Sequence, residues 1–199
     1  MGNDDHRFPR RKHLPRIPVW LPQDQPVVYF ATACCAQRRK VFAQSAAVRI
    51  GVECLRRVEA RQRWKVANAC FMPDHVHLLL SPSESRDQSL SEFMRAWKSC
   101  VVLRLRRTGV TGDVWQREFH DRLLRSDEKL DEKWEYIRLN PVRAGLCATP
   151  EDYPYSGTTE EILQRLGRIT IERDGAIPRN NTGHSRPTIT RGEDAMPEL

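Results

Sequence analysis

Two histidines two residues apart, a tyrosine four residues ahead of an asparagine, and arginine-rich stretches without acid are the chemical features of this chain. His75 and His77 lie in Asp74-His75-Val76-His77-Leu78-Leu79-Leu80. On a strand, alternate side chains share a face, so His75, His77 and Leu79 point one way and Val76, Leu78 and Leu80 the other. Two imidazoles so placed can both reach one divalent ion. Two unrelated histidines on a solvated face are the plainer account. With six histidines in the chain, an H-x-H arises in about one shuffled chain in seven, so the spacing alone decides nothing. Tyr136 and Asn140 stand at i and i+4, which stacks a phenol and an amide on one helical face. A tyrosine bonded locally, with Asn140 as a helix C-terminal cap, would look the same in sequence. The segment from Arg95 to Arg107 holds Arg95, Lys98, Arg104, Arg106 and Arg107 and no Asp or Glu. Arg117, Arg122, Arg125, Arg138 and Arg143 follow. Phosphate binding needs such donors, although a solvated helix face has the same composition.

The elements that must position these groups follow from pattern. Pro26 to Ala33 is β-branched and aromatic and reads as a strand. Gln44 to Arg63 carries Val48, Val52, Leu55 and Val58 at helical spacing. Trp64 to Phe71 is a second strand, Met72-Pro73-Asp74 a turn, and His75 to Leu80 a third strand hairpinned to the second. Ser89 or Ser91 caps a helix bearing Leu90, Phe93, Met94, Trp97, Val101 and Leu105. Gly109 and Gly112 interrupt the chain, and a last strand falls within Val114 to Leu124. Asp127 opens a helix with Leu130, Trp134 and Ile137 as its apolar stripe, and Asn140-Pro141 ends it. This order predicts an α+β fold: a ferredoxin-like antiparallel sheet of four or five strands with helices packed on one face. Residues 1–25 read as a basic, proline-rich arm. Residues 26–157 form the domain. Residues 158–199 read as a largely flexible tail after one short helix at Glu160–Leu166.

The 199 residues suit one domain with tails, and 39% apolar residues suffice for one core. The net charge of +7 suggests a polyanionic partner. No stretch approaches the roughly 18 apolar residues of a membrane span, and the polar start has no apolar h-region, so no membrane association or secretion is expected. The six cysteines contain no C-x-x-C pair and read as reduced, mostly buried thiols of a cytoplasmic protein.

Taken in order, these pieces resemble the single-tyrosine transposases of the HUH nuclease superfamily, and most of all the REP-associated tyrosine transposases. The resemblance runs from about residue 16 to 156. It is carried by the entry strand Val27 to Ala33 with Arg38 and Arg39 after it, "FMPDHVHLLL" at 71–80 and "SLSEFMRAWKS" at 89–99. It continues with "VWQREFHDRLLRS" at 114–126, "KWEYIRLNPVRAGL" at 133–146 and "PEDYPYS" at 150–156. The resemblance implies that His75 and His77 ligate a divalent metal, Mg²⁺ or Mn²⁺, and that Tyr136 is the nucleophile. Asn140 falls where relatives place a polar third ligand. The implied fold is ferredoxin-like, with the tyrosine helix near the His-bearing face. The implied substrate is single-stranded DNA with a hairpin, as in palindromic repeats, cleaved through a 5′-phosphotyrosine. Lys98, Arg104, Arg106, Arg107, Arg117 and Arg143 are the expected DNA contacts, and the protein would act as monomer or homodimer. A non-catalytic binder of hairpin or single-stranded nucleic acid on the same fold is the competing expectation.

Overall fold

A computed structural model describes residues 27–82, 89–124 and 127–175. The alternating β-branched and aromatic run Val28–Cys34 forms β1. Helix α1, Ser45–Glu59, follows two short 3₁₀ turns and turns Val48, Val52, Leu55 and Val58 to one side. β2, Trp64–Met72, and β3, His75–Pro82, form a hairpin closed by the two residues Pro73 and Asp74. Helix α2, Leu90–Arg107, begins with a capping box. Ser89 Oγ accepts from Glu92 N at 3.3 Å, and Glu92 accepts from Ser89 N at 3.2 Å. β4, His120–Leu124, leads to α3, Asp127–Arg138. The short α4, Asn140–Arg143, the two-residue β5, Ser156–Gly157, and α5, Thr159–Gly175, complete the described chain.

The five strands pair in the order β4-β1-β3-β2-β5, every neighbour antiparallel. The central strand is therefore β3, the histidine strand. Alternation along it divides the molecule. Val76, Leu78 and Leu80 join Tyr29, Ala31 and Ala33 of β1 on the back face, under α1, α2 and α5. On the front, Leu79 joins Cys70, Met72 and Leu124 in a smaller cluster closed by Ile137 of α3 and by Tyr153, with Phe30 packed against it. The register between β2 and β3 skips between Val66 and Asn68. This bulge shifts the phase, so that Trp64 and Val66 before it and Ala69 and Phe71 after it all reach the back core. Tyr153 clips the front to β2, its hydroxyl donating to Phe71 O at 2.6 Å.

The ferredoxin-like α+β expectation is met. Three helices cover one face, and α3 lies across the other, the His-bearing face on which the resemblance placed it. Boundaries differ in three places. The first helix is confined to Ser45–Glu59. The last strand keeps only His120–Leu124, because Trp115 leaves the sheet after one bridge to Cys35 and packs on Phe42 and Trp97. The short helix expected at Glu160–Leu166 continues to Gly175, because Ile162 and Leu166 are core residues and hold it to the sheet. Residues 1–25, expected as an arm, and the tail beyond 175 lie outside the described residues. Among the described residues no helix is long and apolar enough to cross a membrane.

Candidate active site

The hairpin sets the two imidazoles side by side. Their ring centroids are 4.6 Å apart and their Nε2 atoms 3.1 Å apart. Each ring is held at its other nitrogen. Asp74 Oδ1 lies 2.6 Å from His75 Nδ1, and Thr32 Oγ1 lies 2.9 Å from His77 Nδ1. Thr32 can do this because it is directly paired with His77 in the β1–β3 register. One assignment of protons satisfies every contact: His75 Nδ1–H donates to Asp74, His77 Nε2–H donates to His75 Nε2, and the Thr32 hydroxyl donates to His77 Nδ1. Turning the Thr32–His77 bond around frees both Nε2 lone pairs toward one point. His77 is only 8% exposed. Burial, then the neighbouring His75 and Lys133, hold it down to about 3, so it remains a neutral donor. Burial would raise the Asp74 carboxyl, but its hydrogen bond to His75 and the Arg38 guanidinium 3.3 Å away bring it below the ordinary value.

This donor set fits a divalent cation. Atoms about 3 Å apart are neighbours in the shell of an ion whose bonds to N or O run about 2.0–2.1 Å, and a carboxylate behind a ligating histidine is the usual support. Among the described residues, however, no three or more His, Cys, Asp and Glu side chains converge so as to hold a metal ion between them. Asn140 opens α4 after a break at Leu139, and its Nδ2 is buried without a hydrogen bond.

Tyr136 projects from α3 on the same side of the sheet. It is 47% exposed, while its neighbour Ile137 is 1% exposed and anchors the helix in the front cluster. The Lys133 ammonium sits over its ring at 4.4 Å and the Arg143 guanidinium at 4.9 Å. Arg143 also donates to Tyr136 O at 3.2 Å. Lys133 lies 4.0 Å over the Phe30 ring as well, and Phe30 lies 5.2 Å from the His77 ring. A continuous chain of touching groups thus runs from His77 through Phe30 and Lys133 to Tyr136.

The other expected DNA contacts are scattered. Lys98 Nζ donates to Gln116 O at 2.7 Å and Arg117 O at 3.0 Å, and burial holds its ammonium below the ordinary value. Arg104 pairs with Glu53 at 2.5 Å. Arg106 and Arg107 are exposed at the end of α2, on the back face. The Arg117 side chain is exposed in the loop before β4. Only Arg143 touches the tyrosine. Sequence reasoning passed over Lys133, Thr32, Phe30 and the role of Asp74. A usable signal existed for Lys133, three residues before Tyr136 and so on its helical face. Thr32 needed the register.

A family model described as Transposase IS200 like matches residues 26–139, a span holding both histidines and Tyr136. A Haemophilus influenzae protein provisionally described as a REP-associated tyrosine transposase is 31% identical over 106 residues, 49% of this chain and 60% of that protein. The Escherichia coli REP-associated tyrosine transposase is 23% identical over 95 residues, 48% of this chain and 54% of that protein. The chain thus spans little more than half the length of these curated relatives. Among solved structures, a REP-associated tyrosine transposase bound to a REP hairpin is similar at a TM-score of 0.56 and 17% identity, over 87% of this chain and 94% of that one. That likeness is one of fold.

Proposed function

Because the chain belongs to the IS200-like transposase family, we propose that it cuts and rejoins single-stranded DNA beside hairpin-forming repeats, with Tyr136 as nucleophile. The observation that supports this reading best is the paired Nε2 atoms, 3.1 Å apart, on the sheet face that also carries the exposed phenol.

A phenol is a weak nucleophile near neutral pH, so the reaction needs electrophilic help at phosphorus. A divalent cation, Mg²⁺ or Mn²⁺, held by His75 and His77 would polarise the scissile phosphate and offset charge on the departing oxygen. Asp74 and Thr32 keep the imidazoles in the orientation that presents Nε2. Asn140 is the proposed third donor, through its amide oxygen. Tyr136 Oη bonds to phosphorus, and the bond from phosphorus to the 3′ oxygen breaks. The phenolic proton passes to solvent, and the departing oxygen takes one up. The products are a 5′-phosphotyrosine and a 3′-hydroxyl. A second 3′-hydroxyl can attack the ester, release Tyr136 and rejoin strands without ATP, because the ester preserves the energy of the original bond. We place this chemistry in the cytoplasm, which suits six free thiols.

The test is a denaturing gel after incubation with Mn²⁺ and hairpin-bearing single strands. A protein–DNA band is expected, and Tyr136→Phe should lose it while still retaining the hairpin. Retention by the wild type with no such band on several strands would make the chain a binder instead.

A further inference from the structure

The gap between the imidazoles and the tyrosine is lined with positive charge. Lys133 Nζ rests on two aromatic faces, Phe30 and Tyr136. Arg122 is paired directly across from Phe30 in the β1–β4 register and so shares its face. Arg143 also lies over the Tyr136 ring, 4.9 Å from its centroid. Among the described residues none of the three has a carboxylate partner. By contrast Arg38, Arg56, Arg104 and Arg138 all form ion pairs. Burial first, and then the charge of Arg122, hold the Lys133 ammonium below the ordinary lysine value, with no carboxylate acting the other way. Like charges gathered without a counter-ion repel one another, and an anion entering among them removes that repulsion.

We propose that Lys133, Arg122 and Arg143 form the seat of the attacked phosphodiester, with Lys133 Nζ meeting a non-bridging phosphate oxygen between His77 and Tyr136. This deepens the strand-transferase reading and rests on it for the identity of the anion. Three features favour a phosphodiester. Lys133 lies between the imidazoles and the nucleophile, where the phosphorus must sit. Arg143 uses one guanidinium nitrogen on Tyr136 O, and other N–H groups remain to donate. The Lys133 ammonium is held over two aromatic faces, 4.0 Å from Phe30 and 4.4 Å from Tyr136, and so stands in place before DNA arrives.

The competing account is that Lys133 merely packs α3 on the sheet. The salt dependence of binding separates the two. Each cation that neutralises a phosphate of a single strand adds about 0.7 to the steepness of log K against log salt. The probe is an oligo-dT strand of roughly 20 nucleotides, bound in EDTA so that no cleavage occurs. Lys133→Met keeps the packing and removes the charge, and its slope should fall by about 0.7, with Lys133→Arg restoring it. Arg122→Gln, at an exposed strand position, gives the same reading should Lys133→Met fail to fold. An unchanged slope in the folded variant overturns the seat. In parallel, adduct formation on a hairpin-bearing strand with Mn²⁺ should slow at least about 100-fold in Lys133→Met and recover in Lys133→Arg. Equal rates in wild type and Lys133→Met overturn the seat and leave the transferase reading standing. A reduced slope with no adduct even in wild type keeps the seat and removes the transferase.

Discussion

In the proposed chemistry Asp74 is a positioning residue whose effect passes through His75. Its oxygen 2.6 Å from Nδ1 directs the other nitrogen toward His77. Asp74→Ala leaves the imidazole free to turn and to change tautomer. Such outer partners commonly contribute 10–100-fold in metal affinity, so a loss of about that size in Mn²⁺ affinity, read by calorimetric titration, is expected; an unchanged affinity would show that the hairpin alone orients the ring. The histidine pair was legible in sequence because alternation on one strand is a local rule. Lys133 was legible only in its helical spacing from Tyr136; its place over Phe30, about 100 positions away, is set by the packing of α3 on the sheet. The local partners of Lys98 and Arg104 were not legible either. A cation's partner is a backbone carbonyl or a carboxylate on another element, and composition cannot show either.

At the scale of elements, α3 carries Tyr136, the proposed nucleophile, and is anchored in the smaller of the two cores. The sequence suggests Trp134 as its main buried ring. In the structure Trp134 is only partly buried, and Ile137 is the residue driven into the front cluster beside Leu79, Leu124 and Tyr153. Ile137→Ala should therefore destabilise α3 by about 2–5 kcal/mol, and Trp134→Ala by less. Hydrogen exchange reads this directly: α3 amides should lose protection in Ile137→Ala while those of α1 and α2 keep theirs. Equal effects of the two substitutions would refute the ranking. Helix and strand types were legible from periodicity, whereas their ends were set by packing at a distance. Trp115 abandons the last strand for Phe42 and Trp97, and the skip between Val66 and Asn68 changes which residues of β2 are core without any glycine or proline to announce it.

At the scale of the whole, the described residues form one sheet whose back face carries the larger core and whose front face carries the smaller one and the proposed site. Both of its cores carry ionisable groups that are stable only when uncharged. Burial and the adjacent Cys100 push the Cys54 thiol of the back core from its ordinary value up to about 12, and burial raises the Tyr153 phenol of the front cluster as well. A group whose folded value is raised lends stability that is complete below its unfolded value and is lost as pH rises toward the folded one. Stability should therefore hold to about pH 9 and then decline, with each such group adding at most about 1.4 kcal/mol per pH unit to the slope. Urea unfolding of Cys54→Ala between about pH 9 and 11 should show a shallower decline than wild type; an identical slope would mean that the thiol ionises freely in the fold. The two-residue turn at Pro73 and Asp74 has a consequence of another kind. One extra codon there would rotate the following strand by half a pleat, sending both imidazoles into the oily back core and taking Val76, Leu78 and Leu80 out of it. Loss of activity and loss of solubility would then be a single event, and a lesion of that type would leave an aggregate rather than an intact but inert protein.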